Sequence, residues 1–424
     1  MTDLTGSSNL TEPDEPDDLR QATELGTAAL DQFRSEARAW LATNCVPPYR
    51  DLEFRGDPDP VWLRRMREWN NQVADAGWAG IDWPVEHGGR GLGLAHQVVL
   101  AEELDRARAP SPLNPIGLAN IAPSIMAFGT EAQTDRYLRP MLRGDEIWCQ
   151  GFSEPDAGSD LASLSTRARQ DGQDWIVSGQ KVWNTYGQLA DWCELLVRTD
   201  PEASKHRGIT CLLVDMRTPG IEVRPLRTAT GDEDFCELFF HEVRVPDTAR
   251  LGPEGDGWTV AMATLTFERS GVANLHIRTR RHIRELLVEV RAAGRADDPV
   301  VRQELAQLYI DAELQRLLSE QATSRALLGL APGPEGSLIK LVWSRVGQQL
   351  PLLATRILGP ATLIEEPGGT GSTWSTSLTA GGRPSWGAQV VGARSLTIAG
   401  GTTEVNKNIL AERVLGLPRD PKPS

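Results

Sequence analysis

Apolar side chains recur every three or four positions over the first third of the chain: Leu30, Phe33, Ala37, Trp40 and Leu41 share one stretch, and Trp62, Leu63, Met66 and Trp69 the next. That period lays them on one face of a helix. LAHQVVLAEELDRAR, IAPSIMAFG and EAQTDRYLRPMLR continue it, so residues 25 to 145 are expected to form an all-helical N-terminal domain. From 146 to 250 the pattern changes to short runs of Val, Ile, Leu, Phe and Trp, among them IWCQGF, DWIVSGQKVW, CELLVRT, GITCLLVDM, GIEVRPL and DFCELFFHEVRVP, broken by Gly, Asp and Pro. Such runs predict strands and turns, hence a middle β domain, a barrel or a sandwich. Over 251 to 424 the helical period returns, with Val272, Leu275, Ile283, Leu286, Leu287 and Val290 on one face, then Val301, Leu305, Leu308, Leu314 and Leu317. Two more long helices are expected at about 336 to 359 and 386 to 414, separated by the Gly-, Ser- and Thr-rich loop EEPGGTGSTWSTSLTAGGRPS. Residues 1 to 24, rich in Asp, Glu, Pro, Ser and Thr, bury too little to order themselves and are read as a disordered acidic tail.

Composition removes several function classes. The chain has 424 residues, with 44 Lys+Arg against 58 Asp+Glu, and its net charge of −14 repels a phosphate backbone, so no nucleic-acid partner is expected. No apolar run approaches the ~20 residues that span a bilayer. The N-terminus, MTDLTGSSNLTEPDEPDDLR, lacks the basic flank and apolar core of a secretion signal, which points to the cytoplasm. Five cysteines (Cys45, Cys149, Cys193, Cys211, Cys236) are odd in number and form no C-x-x-C pair, so neither a disulfide framework nor a metal site is expected. They read as small buried hydrophobes. The glycines of WPVEHGGRGLGLAH invite a dinucleotide loop, but counting from Gly91 the sixth place is His96 and no strand precedes them. A helix connector is the better reading.

GFSEPDAGSD at 151 to 160, GQKVWNTYGQLAD, GITCLLVDMRTPGIEVRPL, FFHEVRVPDTARLGPEGDGWTVAMATL and IAGGTTEVNKNILAERVLGLPR follow one another between helical flanks. In this order they resemble the acyl-CoA dehydrogenase family over nearly the whole chain after the acidic tail. The resemblance implies an α+β chain: an N-terminal all-α domain, a middle β-barrel and a C-terminal four-helix bundle. It implies FAD held between barrel and bundle, usually completed by a neighbouring subunit of a homotetramer or of a heterotetramer with a paralogous chain, and an electron-transferring flavoprotein as acceptor. Carried over residue by residue, Phe152 and Ser153 would touch the flavin ring, and Ser159 would lie near the pyrophosphate or the pantetheine of the substrate. Trp183 matches the tryptophan that packs on the flavin; without the motif, one of 13 tryptophans would read as core. Thr185 matches the hydroxyl that bonds the hydride-accepting nitrogen. The family pattern is Trp-Ile-Thr-Asn, where this chain has Asn184 and Tyr186. Gly359, in ATRILGP, resembles the adenine-binding turn, and Thr402 and Glu404 lie in the C-terminal motif that contacts the cofactor. Either Arg291 or Arg295 stands where an arginine would reach a neighbour's FAD.

Removing an α-proton from a thioester needs a base, and a carboxylate serves when an apolar pocket raises its pKa. The carbonyl needs donors that strengthen as enolate charge develops. In much of the family the base comes from a Tyr-Glu-Gly-Thr motif, which reads Ala399, Gly400, Gly401, Thr402 in this chain. A second family arrangement, resembling isovaleryl-CoA and long-chain acyl-CoA dehydrogenases, places the base on the first helix of the C-terminal domain, where this chain has Phe267-Glu268-Arg269. Glu268 is therefore the expected base, Arg269 a support of the substrate pocket, and Gly400 and Gly401 the donors and space beside the thioester. The Asp common three places before Arg269 is Thr266 here. The reaction so implied is α,β-dehydrogenation of an acyl-CoA to the trans-2-enoyl-CoA in fatty-acid or steroid side-chain breakdown. Two alternatives stay open: a non-catalytic partner subunit, and a flavin monooxygenase or oxidase on the same fold.

Overall fold

The computed structural model describes residues 17–50, 52, 60–270, 274–328, 330, 333–364 and 385–419; for 17–27, 268–270 and 326 the description is of the backbone alone. Five helices open the chain: α1 (Asp17–Asn44), α2 (Pro60–Asp75), α3 (Leu94–Ala107), α4 (Ala122–Phe128) and α5 (Glu131–Arg143). Helix α1 thus reaches into the stretch expected to be a tail, and residues 1 to 16 lie outside the described residues. A capping box starts α5: Thr130 Oγ1 accepts from Gln133 N, and Gln133 Oε1 from Thr130 N. The Gln133 amide also donates to Thr248 O and Arg250 O, both at 3.0 Å, which seats the helical layer on the sheet that follows. A π-helical turn, Gly117–Ile121, leads into α4. The glycine-rich stretch is a connector as expected: a Cβ on Gly89 would lie 2.2 Å from Trp83 O, a close approach only glycine allows.

The middle of the chain is one sheet of β1 (Trp148–Gly151), β2 (Arg167–Asp171), β3 (Asp174–Thr185), β4 (Trp192–Arg198), β5 (Ile209–Asp215), β6 (Ile221–Leu226), β7 (Phe235–Pro246) and β8 (Arg250–Leu251). The order is β6-β7-β3-β2-β4-β5-β8, and β1 adds to β4 in parallel. The sheet curls around its own core, where Val177, Leu195, Val197, Leu212, Leu238 and Val243 from β3, β4, β5 and β7 are all buried together. All five cysteines are buried and none is in a disulfide.

The C-terminal part holds α6 (Gly257–Ser270), α7 (Leu275–Ala292), α8 (Pro299–Leu327), α9 (Glu335–Leu358), α10 (Trp386–Gly392) and α11 (Thr403–Ile409). Helix α6 packs on β4 and β5 and on the π turn and α4, so all three layers meet along it. Helices α7, α8 and α9 share an apolar core that includes Ile283, Leu286, Val290, Val301, Leu305 and Leu308. Two expectations need correction. Leu314 and Leu317 do not continue the core face of α8 but are 47% and 50% exposed. The helix expected over 386 to 414 is instead α10, a 3₁₀ turn, α11 and a π turn, broken where Gly400 and Gly401 both take left-handed φ, +65° and +83°. Two successive residues of that kind favour glycine. Val272 and the loop from 365 to 384 lie outside the described residues.

Candidate active site

Two sequence motifs far apart in the chain are joined by one buried ion pair. Strand β1 ends at Gly151, and the chain turns through Phe152 and Ser153 into a tight bend in which Glu154 and Ala157 exchange backbone bonds of 3.0 and 3.1 Å. The Glu154 carboxylate is buried and accepts from Ser165 N, Ser165 Oγ and Thr166 N at 2.6 to 2.8 Å. Its fourth partner is Lys181 Nζ at 2.8 Å, a fully buried ammonium on β3 that also donates to Phe152 O at 3.1 Å. Val182 N closes the seam by donating to Ser153 O at 2.9 Å. Burial pushes the Glu154 carboxyl up, but Lys181 and the donors from Ser165 and Thr166 outweigh it and hold the group at about 2. The pair fixes Phe152–Ser153 against Trp183–Thr185.

Between Lys181 and Asn184 the β3–β7 register shifts, and at this bulge Trp183 takes φ +64°. A bulge re-aims a side chain. The indole is 60% exposed, meeting Phe235 edge-on with centroids 5.9 Å apart. A tryptophan turned outward on a strained residue is not serving the core; it offers a flat apolar face suited to a planar ring. Thr185 lies beside it, half-buried. Asn184 is buried and donates to Gln150 O at 2.6 Å, tying β3 to β1, while its Oδ1 has no partner. Tyr186 takes φ +57°, the region an asparagine enters with less strain. The planar face, the adjacent hydroxyl and the buried free amide oxygen fit a polar-edged ring such as flavin.

The remaining candidates are placed as follows. Ser159 is exposed beside Asp160, which pairs with Lys205 at 2.6 Å. Gly359 ends α9 at φ +71°. Gly400 and Gly401 form the exposed turn before α11, where Asn406 Nδ2 donates to Gly401 O and Thr402 O at 3.0 Å. Thr402 Oγ1 accepts from Val405 N at 3.1 Å, so its hydroxyl caps its own helix, and Glu404 is exposed in the first turn. This turn hangs on α9, since Lys340 Nζ and Ser344 Oγ donate to Leu396 O at 2.5 and 2.7 Å. Arg291 is exposed; Arg295 bonds Asp298 at 3.0 Å within its own chain. Glu268 and Arg269 lie in the last turn of α6. Thr266 bonds Met262 O at 2.7 Å, on its own helix. The fold therefore joins 152–154 to 181–185, sets α6 against β4 and β5, and attaches the Gly400 turn to α9.

Two groups at the centre of this arrangement are not among the sequence-derived candidates. Lys181 follows Trp175, Val177 and Gly179 at alternate positions of β3, which marks it as inward-facing. Glu194 is the lone carboxylate in the strand WCELLVR. Among the described residues no cluster of His, Cys, Asp or Glu could hold a metal, and no helix is long and apolar enough to cross a membrane.

Three family models match in order: the acyl-CoA dehydrogenase N-terminal domain over 27–145, the middle domain over 149–243 and the C-terminal domain over 255–415. The chain is 39% identical over 397 residues to acyl-CoA dehydrogenase IpdE1 of Mycobacterium tuberculosis strain H37Rv, covering 93% of this chain and 99% of that protein. The solved Tcur3481-Tcur3483 steroid ACAD superposes with a TM-score of 0.79 at 31% identity, over 93% of this chain and 98% of that one. The ChsE4-ChsE5 complex from Mycobacterium tuberculosis gives 0.73 at 29% identity, over 92% and 98%. With matches end to end and the motif strands locked together in the sheet, the chain belongs to the acyl-CoA dehydrogenase family of flavin-dependent oxidoreductases.

Proposed function

We propose that this chain is an FAD-dependent acyl-CoA dehydrogenase acting on a bulky, steroid-derived thioester, with Glu268 as the base. The observation that carries the reading is Trp183, held outward at the bulge and locked to Phe152–Ser153 through Lys181 and Glu154. Trp183, Phe152, Ser153 and Thr185 would hold the ring of FAD, and Ser159, Gly359, Thr402 and Glu404 the remainder. Bound FAD would supply the acceptor for the hydride that leaves the β-carbon. Glu268 takes the α-proton onto its carboxylate; an acyl chain filling the site excludes water and raises the basicity of that carboxylate. The backbone N–H groups of Gly400 and Gly401 donate to the thioester oxygen as negative charge builds there. Arg269 supports the pocket wall. The steroid class rests on the similarity to the solved steroid ACAD. A second subunit, another copy or a paralogue, completes the cofactor site, and an electron-transferring flavoprotein takes the electrons.

The test is anaerobic mixing with short, long, branched and steroid-like acyl-CoAs while the visible flavin band is followed. Bleaching by the steroid-like thioester is expected, and Glu268→Gln is expected to abolish it. A flavin that none of the panel reduces defeats the reading. The Thr402 hydroxyl, expected at the cofactor, caps its own helix, which favours one second reading: a subunit that completes a partner's site. Turnover of the assembled complex unchanged by Glu268→Gln would establish that instead.

A further inference from the structure

Glu194 sits on β4 under α6, along which the three layers meet, with no exposed surface and, among the described residues, no cation paired with it. The groups that face it are the Thr264 hydroxyl from α6, the Gln150 amide from β1 and the Cys211 thiol from β5. Ser124 of α4 joins through Thr264. Thr264 Oγ1 lies 3.0 Å from Glu194 Oε1, 3.0 Å from Val260 O and 2.6 Å from Ser124 Oγ, and Ser124 Oγ lies 3.2 Å from Asn120 O.

These distances can be checked by counting protons. Val260 O and Asn120 O only accept, and an ionised Glu194 would only accept as well. The two hydroxyls supply two protons for four contacts, their own included, so two contacts are left without one. A proton on Glu194 fills a third contact, since the acid donates to Thr264, Thr264 to Val260 O, and Ser124 to Thr264 or Asn120 O, and it leaves no ionic charge on the buried carboxyl whose Oε2 has no partner. Full desolvation favours the same state, raising this carboxyl to about 8.

The neutral acid links the two halves of the site. Gln150 is its register partner on β1 and leads directly into Gly151–Phe152–Ser153, while Asn184, next to Trp183, donates to Gln150 O at 2.6 Å. On the other side, Thr264 precedes Glu268 by four residues, one turn of α6. We propose that Glu194 is a positioning residue that, as a protonated carboxylic acid, donates to Thr264 and so sets α6, and with it Glu268, against the strands that carry the ring-binding residues. The proposal rests on Glu268 as the base. Ionising Glu194 would bury an unpaired charge and remove the donor, moving α6 away from its working position.

The first test is infrared spectroscopy of the flavin-loaded native protein and Glu194→Gln, which keeps a donor and cannot ionise. The native protein is expected to show the carbonyl band of a buried protonated carboxyl that Glu194→Gln lacks, fading as pH rises through about 8. Thr264→Val, of the same shape without the hydroxyl, is expected to shift that band. The second test is the rate of flavin reduction by the fastest-bleaching acyl-CoA above. In the native protein it should fall about tenfold per pH unit above the midpoint, while Glu194→Gln stays level over the same range. No protonated band at neutral pH, or the same alkaline limb in both proteins, overturns the proposal. Glu268→Gln separates the two claims: loss of reduction at every pH with the band intact supports both. Reduction at the native rate removes the base assignment, and with it this role for Glu194, whatever the infrared shows.

Discussion

The middle sheet and the C-terminal bundle solve the burial problem differently. In the sheet, the inward residues of β3, β4, β5 and β7 form one apolar core, and the ammonium of Lys181 is matched by Glu154 within the same chain. In the bundle, one end of the α7–α8–α9 core is apolar, but at the other the buried residues include His276, Thr279, Gln315 and Ser319. Gln315 has no exposed surface and neither polar atom of its amide has a partner, while Leu314 and Leu317 of the same helix are about half exposed. Tyr309, Ile310, Ile398 and Leu415 are also exposed. The sheet buries its apolar core within one chain; the bundle presents apolar faces of the kind another subunit covers, in line with the assembly proposed above.

The largest effect is expected from removing the charge that the sheet has matched. Lys181→Met leaves Glu154 buried without its cation and is expected to lower stability by about 3–5 kcal/mol, with loss of bound flavin. Urea unfolding and flavin content read both effects, and adding Glu154→Gln should recover part of the loss. An unchanged urea midpoint would show that the pair is not holding the sheet.

The same pair gives the sheet an acid limit. Glu154 sits near 2 in the folded protein against 4.5 as its ordinary value, so its stabilisation is present above 4.5 and is lost as pH falls from there to 2. The full loss is ~3 kcal/mol at about 1.4 kcal/mol per unit. Glu154→Gln should flatten the unfolding free energy over that interval. Glu194 tilts the other way: its folded value is raised from 4.5 to about 8, so it contributes a fall in stability as pH rises between those values. Glu194→Gln should therefore gain on the native protein across that window in thermal melts. A constant gap would contradict the neutral acid.

For the bundle, the corresponding change is to charge the exposed stripe. Leu314→Glu with Leu317→Glu should alter the stability of the isolated chain by no more than about 1 kcal/mol, since each is on the surface. It should instead reduce the assembled mass measured by light scattering. Assembly at full size would place the subunit contact elsewhere.

The contrast also explains what the sequence could reveal. Strand runs such as CELLVRT and the apolar period of α7 are local, so the layers and their order can be read directly. The failures come where a local pattern meets something distant. Leu314 and Leu317 keep the helical period of Leu305 and Leu308, but period alone does not say which neighbour a face meets. The break before α11 follows from consecutive left-handed glycines, a backbone choice the apolar pattern of 386 to 414 does not register. The motifs of the candidate site are visible as strings, whereas the bond between Lys181 and Glu154, 27 residues apart, exists only once β3 lies against the bend after β1. Glu194 had a faint signal, a lone carboxylate in an apolar strand, but its neutrality depends on a threonine 70 residues away.

The smallest expected effect on the fold is at Trp183. Trp148, 1% exposed in the core, should cost about 3–5 kcal/mol on replacement by alanine. Trp183 is 60% exposed at φ +64°, so little burial is lost on its removal, and glycine relieves the left-handed backbone. Trp183→Gly is therefore expected to leave the urea midpoint unchanged or slightly raised, while flavin retention and reduction by acyl-CoA both fall. If stability dropped as it does for Trp148, the indole would be part of the core and the outward bulge would lose its meaning. A stable protein with weakened flavin binding would show that this strained residue serves the ligand and not the sheet.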